Sequence, residues 1–254
     1  MRGLAARAAI VTGAAHGIGL AIAQRLAAED CAVGLFDIDG PGAHEVESAI
    51  RADGGTAHAF AVDITDRNAV EKAVGAFTAA AGPPHFLVNN AGWDRAKNFL
   101  DTDRAFWDRV IAINLYGPLI MHHVVLSGMA DRGFGRVVNI ASDAGRVGSS
   151  GEAVYSACKG GIVALTKTLA REFVAHGVIL NCVCPGPTDT AILRSFAEGP
   201  DGAKILDGLR RAVPMKRLGK PDDYPGLVAF LLSDDAAYMT GQVISVSGGL
   251  TMHG

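Results

Sequence analysis

Tyr155 and Lys159 stand four residues apart in Tyr-Ser-Ala-Cys-Lys, and near the start of the chain lies Thr12-Gly13-Ala14-Ala15-His16-Gly17-Ile18-Gly19. On a helix, side chains at i and i+4 share a face, so the ammonium sits one turn from the phenol and favours the phenolate. A free tyrosine titrates near pH ~10 and needs such help to act as a base at neutral pH. The glycines supply the other half of the chemistry. Gly13, Gly17 and Gly19 let a chain turn sharply out of a strand, bring backbone N–H groups to a pyrophosphate, and start a helix with its positive end toward the anion. Either motif alone also occurs as a solvated pair or a packing turn. Together they specify proton transfer beside a dinucleotide, which is what oxidation of a secondary alcohol requires, with no metal.

Asp37 ends the apolar run Val33-Gly34-Leu35-Phe36, where an acidic side chain can accept both hydroxyls of an adenosine ribose. A 2′-phosphate would meet a carboxylate there. The next residue is Ile38 rather than an arginine, and His16 in the glycine loop is no permanent cation, so the cofactor expected is NAD rather than NADP. Asp37 as a solvated turn residue before Asp39-Gly40-Pro41 is the bland alternative.

The elements that must position these groups follow from periodicity. Strand-length apolar runs at Ala8–Val11, Cys31–Phe36, Thr56–Val62, Phe86–Asn89, Arg136–Ile140, Val178–Val183 and Val243–Val246 alternate with stretches of helical period. This predicts an α/β fold: a Rossmann-type, doubly wound, seven-stranded parallel sheet with helices on both faces, in one domain over residues 1–254. Ligands then sit outside the carboxyl ends of the strands. The glycine loop, Asp37, Asp63, Asn89-Asn90-Ala91-Gly92, Ser142 and Pro185-Gly186 all fall at such ends. The stretch 186–220 reads as the least regular part and as a substrate lid, with a helix beginning near Pro221.

A formal net charge of -3 offers no basic field for a nucleic acid. The four cysteines, Cys31, Cys158, Cys182 and Cys184, lie in apolar runs and suit a reducing compartment. Cys182 and Cys184 share a strand face without further ligands, which reads as buried thiols rather than a metal site. No uncharged apolar run is expected to reach the length of a membrane span. Cytoplasmic residence and no membrane partner are therefore expected.

These residues resemble the short-chain dehydrogenase/reductase family, of the classical type, over essentially the whole chain. The resemblance rests on Thr12 to Gly19, Asp63, Asn89 to Gly92, Asn114, Ser142, Tyr155, Lys159, Pro185-Gly186 and the ending Gly241-Gln242 to Ser247-Gly248-Gly249. It implies that Tyr155 is the general acid/base, that Lys159 lowers its pKa and holds the nicotinamide ribose, and that Ser142 bonds the substrate oxygen. Asn114 would kink its helix and hold a relay water. The implied cofactor contacts are Gly13, His16, Gly17, Ile18, Gly19, Asp37, Ile38, Asp63 at the adenine, Ile64, Asn89 near the adenosine ribose, Ala91, Gly92, Tyr155, Lys159, Pro185, Gly186, Thr188 at the carboxamide or pyrophosphate, and Thr190. A homotetramer is implied as well, and the apolar breadth of 103–130 and 152–176 is compatible with a second buried face.

Within the family, the stretches around Trp93-Asp94 and from Ser142 to Tyr155 resemble members that oxidise cyclic β-hydroxyacyl-CoA thioesters. Trp93, Asp94, Asp143, Arg146, Val147, Ser149 and Glu152 would then shape the substrate pocket. A reductase of β-oxoacyl thioesters on acyl carrier protein and a dehydrogenase of free cyclic alcohols remain open. A catalytically silent nucleotide-binding subunit is a further reading, against which stand the intact Tyr155, Lys159 and glycine loop.

Overall fold

The computed structural model describes residues 1–196 and 202–252. In chain order its elements are β1 (Ala8–Thr12), α1 (Gly17–Ala28), β2 (Ala32–Asp37), α2 (Gly40–Ala52), β3 (Thr56–Ala61), α3 (Arg67–Ala81) and β4 (Phe86–Asn89). There follow α4 (Arg104–Ile111), α5 (Gly117–Asp131), β5 (Gly135–Ile140), α6 (Ala144–Val147), α7 (Ala153–Phe173) and β6 (Val178–Pro185). The last are α8 (Ala191–Phe196), α9 (Gly202–Ala212), α10 (Pro225–Leu232) and β7 (Val243–Val246). The seven strands form one parallel sheet in the order β3-β2-β1-β4-β5-β6-β7.

Every residue of β1 and of β6 is buried, as a parallel sheet covered on both faces demands. Alternation along β1 divides the core. Val11 faces Ile22 and Leu26 of α1 and Val228 of α10, while Ile10 faces Phe77 of α3 and Met121 and Val125 of α5. Acidic residues start three of the covering helices by accepting backbone N–H groups that have no partner within the helix. Asp39 accepts from Gly42 at 3.1 Å, Asp66 from Asn68 at 2.9 Å, and Asp103 from Phe106 at 2.8 Å. The chain leaves β1 for β2 on one side and returns to β4 on the other, so the crevice for a ligand opens beyond the carboxyl ends of β1 and β4.

Two expectations need correction. The stretch 186–220 is not a plain loop: α8 and α9 lie in it on either side of residues 197–201, which fall outside the described part. The helix expected near Pro221 is a 3-10 turn, Pro221–Asp223, and α10 starts at Pro225. The second concerns membranes. The continuous helical run Arg104–Asp131 is 28 residues long and apolar enough to cross one by length and composition. Met121, Val125, Leu126 and Met129 of that run are buried in the core beneath the sheet, which is the packing of a covering core helix.

Candidate active site

The glycine loop is held by backbone and amide groups. Gly13 adopts φ +64° and donates its N–H to the Phe36 carbonyl at 2.8 Å. A Cβ on Gly19 would lie 2.0 Å from the Gly13 carbonyl oxygen, so only glycine lets α1 start this close to β1. Asn90 Nδ2 donates to the carbonyls of Thr12 and Gly13 at 3.0 and 3.1 Å. Thr12 Oγ1 accepts the Asn90 and Ala91 N–H groups, both at 3.0 Å. Asn90 and Thr12 therefore fix the cradle, a role that sequence reading did not give them although both lie in quoted motifs. The signal was adjacency: the residue just past a strand end can turn its amide sideways to the neighbouring loop.

Asn89, expected near the adenosine ribose, is placed differently. Its side chain is buried and its Nδ2 donates to Asn139 Oδ1 at 2.9 Å, which in turn links through Asn139 Nδ2 to Thr166 on α7 at 2.9 Å. The side chain thus ties β4 to β5 and α7. Asp37 lies at the cleft with one carboxylate oxygen accepting from Ala15 N–H and the other from Asp39 N–H, each at 2.9 Å. His16 Nε2 meets Asp39 Oδ2 at 2.8 Å beside it. His16 offers no side-chain cap to α1, leaving the first N–H groups of that helix open to an anion. Ile38 is exposed, Asp63 is exposed with Oδ1 accepting from Thr65, and Ile64 is buried. On the opposite wall Thr190 brings its methyl within 3.6 Å of where a Gly17 side chain would begin. Thr188 is turned inward, donating to the Gly186 carbonyl at 2.8 Å and sharing a hydrogen bond with the Tyr224 hydroxyl.

The proton-transfer group lies where β5, α7 and the β4 loop converge. Lys159 is buried, and its Nζ donates to the Ile140 carbonyl at 3.0 Å while lying 5.4 Å over the Tyr155 ring. Ser142, past the end of β5, accepts the Ala144 N–H on its Oγ at 3.1 Å and lies close enough to Tyr155 to hold the phenol down in part. Asn114 sits in a π-helical turn, Ala112–Tyr116, between α4 and α5, a local unwinding that frequently marks functional sites. Its Nδ2 donates to the Trp93 and Val110 carbonyls at 2.6 and 2.9 Å, and its Oδ1 accepts from Trp93 N–H at 3.2 Å. A Cβ on Gly92 would lie 3.0 Å from Asn114 Oδ1 and 3.5 Å from Lys159 Nζ, which places these three residues around one point.

The electrostatics differ from expectation. Lys159 does not bring the phenol down here: burial pushes the Tyr155 pKa above its ordinary value, the Glu152 and Asp94 carboxylates push it further, and Ser142 only partly opposes them. Burial also lowers the Lys159 ammonium to about 8. The physical reason is that the phenol is desolvated and the nearby cation is bonded to a neutral carbonyl, while the acidic side chains of Glu152 and Asp94 oppose its ionisation.

Of the residues expected around the substrate, Trp93 packs under the Arg109 guanidinium at 3.9 Å and against Phe106 at 5.8 Å. Val147 is exposed, and Ser149 is exposed and bonded to Glu152. Asp94 is buried and lines one gap with Glu152. Asp143 and Arg146 are corrected: Ser245 Oγ on β7 donates to Asp143 and accepts from Arg146 Nη1 at 2.9 Å. These two side chains tie α6 to β7. Pro185 and Gly186 close the floor, with Gly186 N–H on the Val246 carbonyl at 3.1 Å.

The glycine cradle, the uncapped start of α1 and the Asp37 carboxylate fit a nicotinamide dinucleotide, with Lys159 and Tyr155 at its far end. Known proteins agree with that arrangement. The family model described as Enoyl-(Acyl carrier protein) reductase matches residues 13–251. Acetoacetyl-CoA reductase of Allochromatium vinosum is 37% identical over 250 residues, covering 98% of this chain and 100% of that protein. A variant of actinorhodin polyketide ketoreductase, solved with NADPH, superposes with TM-score 0.93 at 34% identity over 98% of this chain and 99% of its own. NAD+-bound xylitol dehydrogenase gives TM-score 0.93 at 32% identity, covering 98% and 100%. With its fold, its cleft and these relatives in agreement over nearly the full length, the chain belongs to the short-chain dehydrogenase/reductase family of oxidoreductases.

Proposed function

We propose that this protein is an NAD-dependent dehydrogenase that oxidises the secondary alcohol of a cyclic or branched β-hydroxyacyl-CoA, such as 2-hydroxycyclohexane-1-carboxyl-CoA, to its β-oxo thioester. The observation that carries the reaction type is the convergence of Tyr155, Ser142 and Lys159 at the mouth of a cleft whose other end is the glycine cradle. The Asp37 carboxylate supports NAD, since it is fixed where a 2′-phosphate would otherwise bind and Asp39 stands beside it. Acyl-CoA is supported by the acetoacetyl-CoA reductase relative.

In this reading Tyr155 takes the hydroxyl proton, Ser142 orients the substrate oxygen, and Lys159 holds the nicotinamide ribose. The cofactor, when bound, supplies the hydride acceptor. Asn114 fixes the Trp93 loop and so shapes the wall next to the reacting carbon. Asp63 and Ile64 flank the adenine end, and the stretch 186–220, apart from residues 197–201, supplies the lid. The chain works as a homotetramer.

A reductive direction, on a β-oxoacyl thioester of CoA or of acyl carrier protein, has one observation in its favour. The phenol is pushed up and therefore protonated at neutral pH, which suits a proton donor. The experiment is to follow nicotinamide absorbance with NAD and a panel of β-hydroxyacyl-CoA thioesters and free cyclic alcohols, then with NADH or NADPH and the β-oxo thioesters. Higher kcat/KM for the CoA thioesters with NAD is expected. Preference for a free alcohol, or for NADPH, overturns the reading.

A further inference from the structure

Asp94 and Glu152 come from separate loops, one after β4 and one before α7, and meet over the same gap, lined also by Lys97, Phe106 and Gly151. The two loops are stitched by a backbone hydrogen bond, Lys97 N–H to the Gly151 carbonyl at 2.9 Å. Asp94 is 4% exposed, and its Oδ2 accepts no hydrogen bond among the described residues. Two carboxyls brought to one closed, desolvated gap can be joined by a hydrogen bond only if one of them carries a proton, because neither carboxylate has a donor of its own. Ser149 supports Glu152 from one side, and the Arg95 N–H supports Asp94 from the other.

We propose that Asp94 and Glu152 are positioning residues, a proton-sharing carboxyl pair that clasps the 93–98 loop to the start of the catalytic helix and sets the charge facing Tyr155. The proton resides on Asp94, whose carboxyl burial drives up to about 6, and Glu152 accepts it. Both acids act on the phenol, Glu152 more than Asp94, and Asp94 also raises the neighbouring Cys158 thiol. The cations on the packed elements are engaged elsewhere. Lys97 lies over Phe106 at 5.4 Å, Arg109 of α4 over Trp93 at 3.9 Å, and Lys159 of α7 donates to the Ile140 carbonyl at 3.0 Å. With one proton shared, the clasp is closed and carries a single negative charge. Loss of that proton places two like charges across the gap and further opposes ionisation of Tyr155.

The proposal rests on Tyr155 as the base, and its test has an arm independent of activity. Infrared difference spectra of the full-length protein, titrated without substrate, are expected to show a carboxylic-acid C=O band that vanishes as pH rises through about 6. The band is expected to be missing from Asp94→Asn and to titrate at lower pH in Glu152→Gln. In the second arm, the limb of the kcat/KM profile for alcohol oxidation that reports Tyr155 moves to lower pH, by roughly half a unit or more in Glu152→Gln and by less in Asp94→Asn. Glu152→Asp, which keeps the acid, stays nearer wild type. Both amide variants preserve shape, so an unmoved limb in the two of them overturns the proposal, as does a wild-type spectrum without a band that Asp94→Asn removes. Should Tyr155→Phe remain active, the base assignment fails while the infrared result still decides whether the pair shares a proton.

Discussion

At the cofactor end of the cleft the polar groups are matched within the protein: Asn90 and Thr12 bind the glycine loop, and both oxygens of Asp37 hold backbone N–H groups. At the substrate end Asp94 Oδ2 and Ser156 Oγ are buried with no hydrogen-bond partner among the described residues, and burial pushes the Asp94 and Glu152 carboxyls up. The first end is a cradle whose loop is fixed before any ligand arrives, with only the start of α1 left open to an anion. The second holds polar groups that cost stability in the free protein, which is what a site tuned for chemistry rather than for folding does.

The sharpest way to test that division is Tyr155→Phe. Only the ionisable oxygen is lost, so turnover is expected to fall by roughly 10²–10⁴-fold while NAD affinity, measured by calorimetry, stays near wild type. Lys159→Ala is expected to damage both, since its ammonium stands between the two ends. Near-normal turnover in Tyr155→Phe would remove the proposed base.

Stability separates the ends next. Asp94 ionises at about 6 in the fold against an ordinary 3.8, so the protonated acid is favoured in the native state. Its contribution is fully present below the unfolded value and is lost as pH rises through the folded one. Above about pH 6 the folded protein therefore carries the cost of a buried charge, on the order of 3 kcal/mol. Asp94→Asn is expected to raise Tm by a few degrees at pH 8, and the gain is expected to fade as pH falls toward 4. Thermal melts of both proteins across that range check it, and a gain that does not vary with pH contradicts the buried-charge account.

Cofactor choice is a smaller effect. Asp37→Ala removes the carboxylate that faces a ribose, and with it the N–H acceptor for Ala15, so both nucleotides bind less well. The ratio of catalytic efficiencies is expected to shift toward NADP by about 1–3 kcal/mol, the range of a charged hydrogen bond. Wild-type preference for NADP would overturn the role assigned to Asp37.

Legibility follows the same division. The sheet and the glycine loop could be read because backbone geometry dictates residue type: buried parallel strands need apolar runs, and the Gly13 φ and the Gly19 approach to the Gly13 carbonyl admit nothing larger. The pairing of Tyr155 with Lys159 was visible from helical spacing, but the direction of the phenol's pKa was not. That direction is set first by burial of the phenol and then by Glu152 and Asp94, which lie far apart in sequence and meet only once two loops have folded. Asp143 and Arg146 misled for the same reason, because nothing in their neighbourhood announces Ser245 as their partner. The α8 and α9 helices were hidden by the glycines, prolines and charges of 186–220, where local composition suggested a loop.

The smallest effect concerns that lid. Between Lys204 and Lys220 the chain places Lys204, Arg210, Arg211, Lys216, Arg217 and Lys220 against a single acid, Asp207, although the whole chain is acidic. The structure shows how much of this charge is answered locally. Arg210 and Arg211 both reach Asp207, at 2.9 and 3.1 Å, and Arg217 forms a two-point pair with Asp223. The α9 trio of Asp207, Arg210 and Arg211 keeps a net positive charge at an exposed position, where the phosphates of coenzyme A would feel a screened attraction. Neutralising Arg210 and Arg211 together is expected to raise KM for a β-hydroxyacyl-CoA by less than about tenfold, in keeping with exposed ion pairs. The increase is expected to be greater at low salt and absent for a short thioester that lacks the nucleotide tail. Equal effects on the two substrates would assign these arginines to the solvated face of α9, and the substrate end would then owe its charge to Asp94 and Glu152 alone.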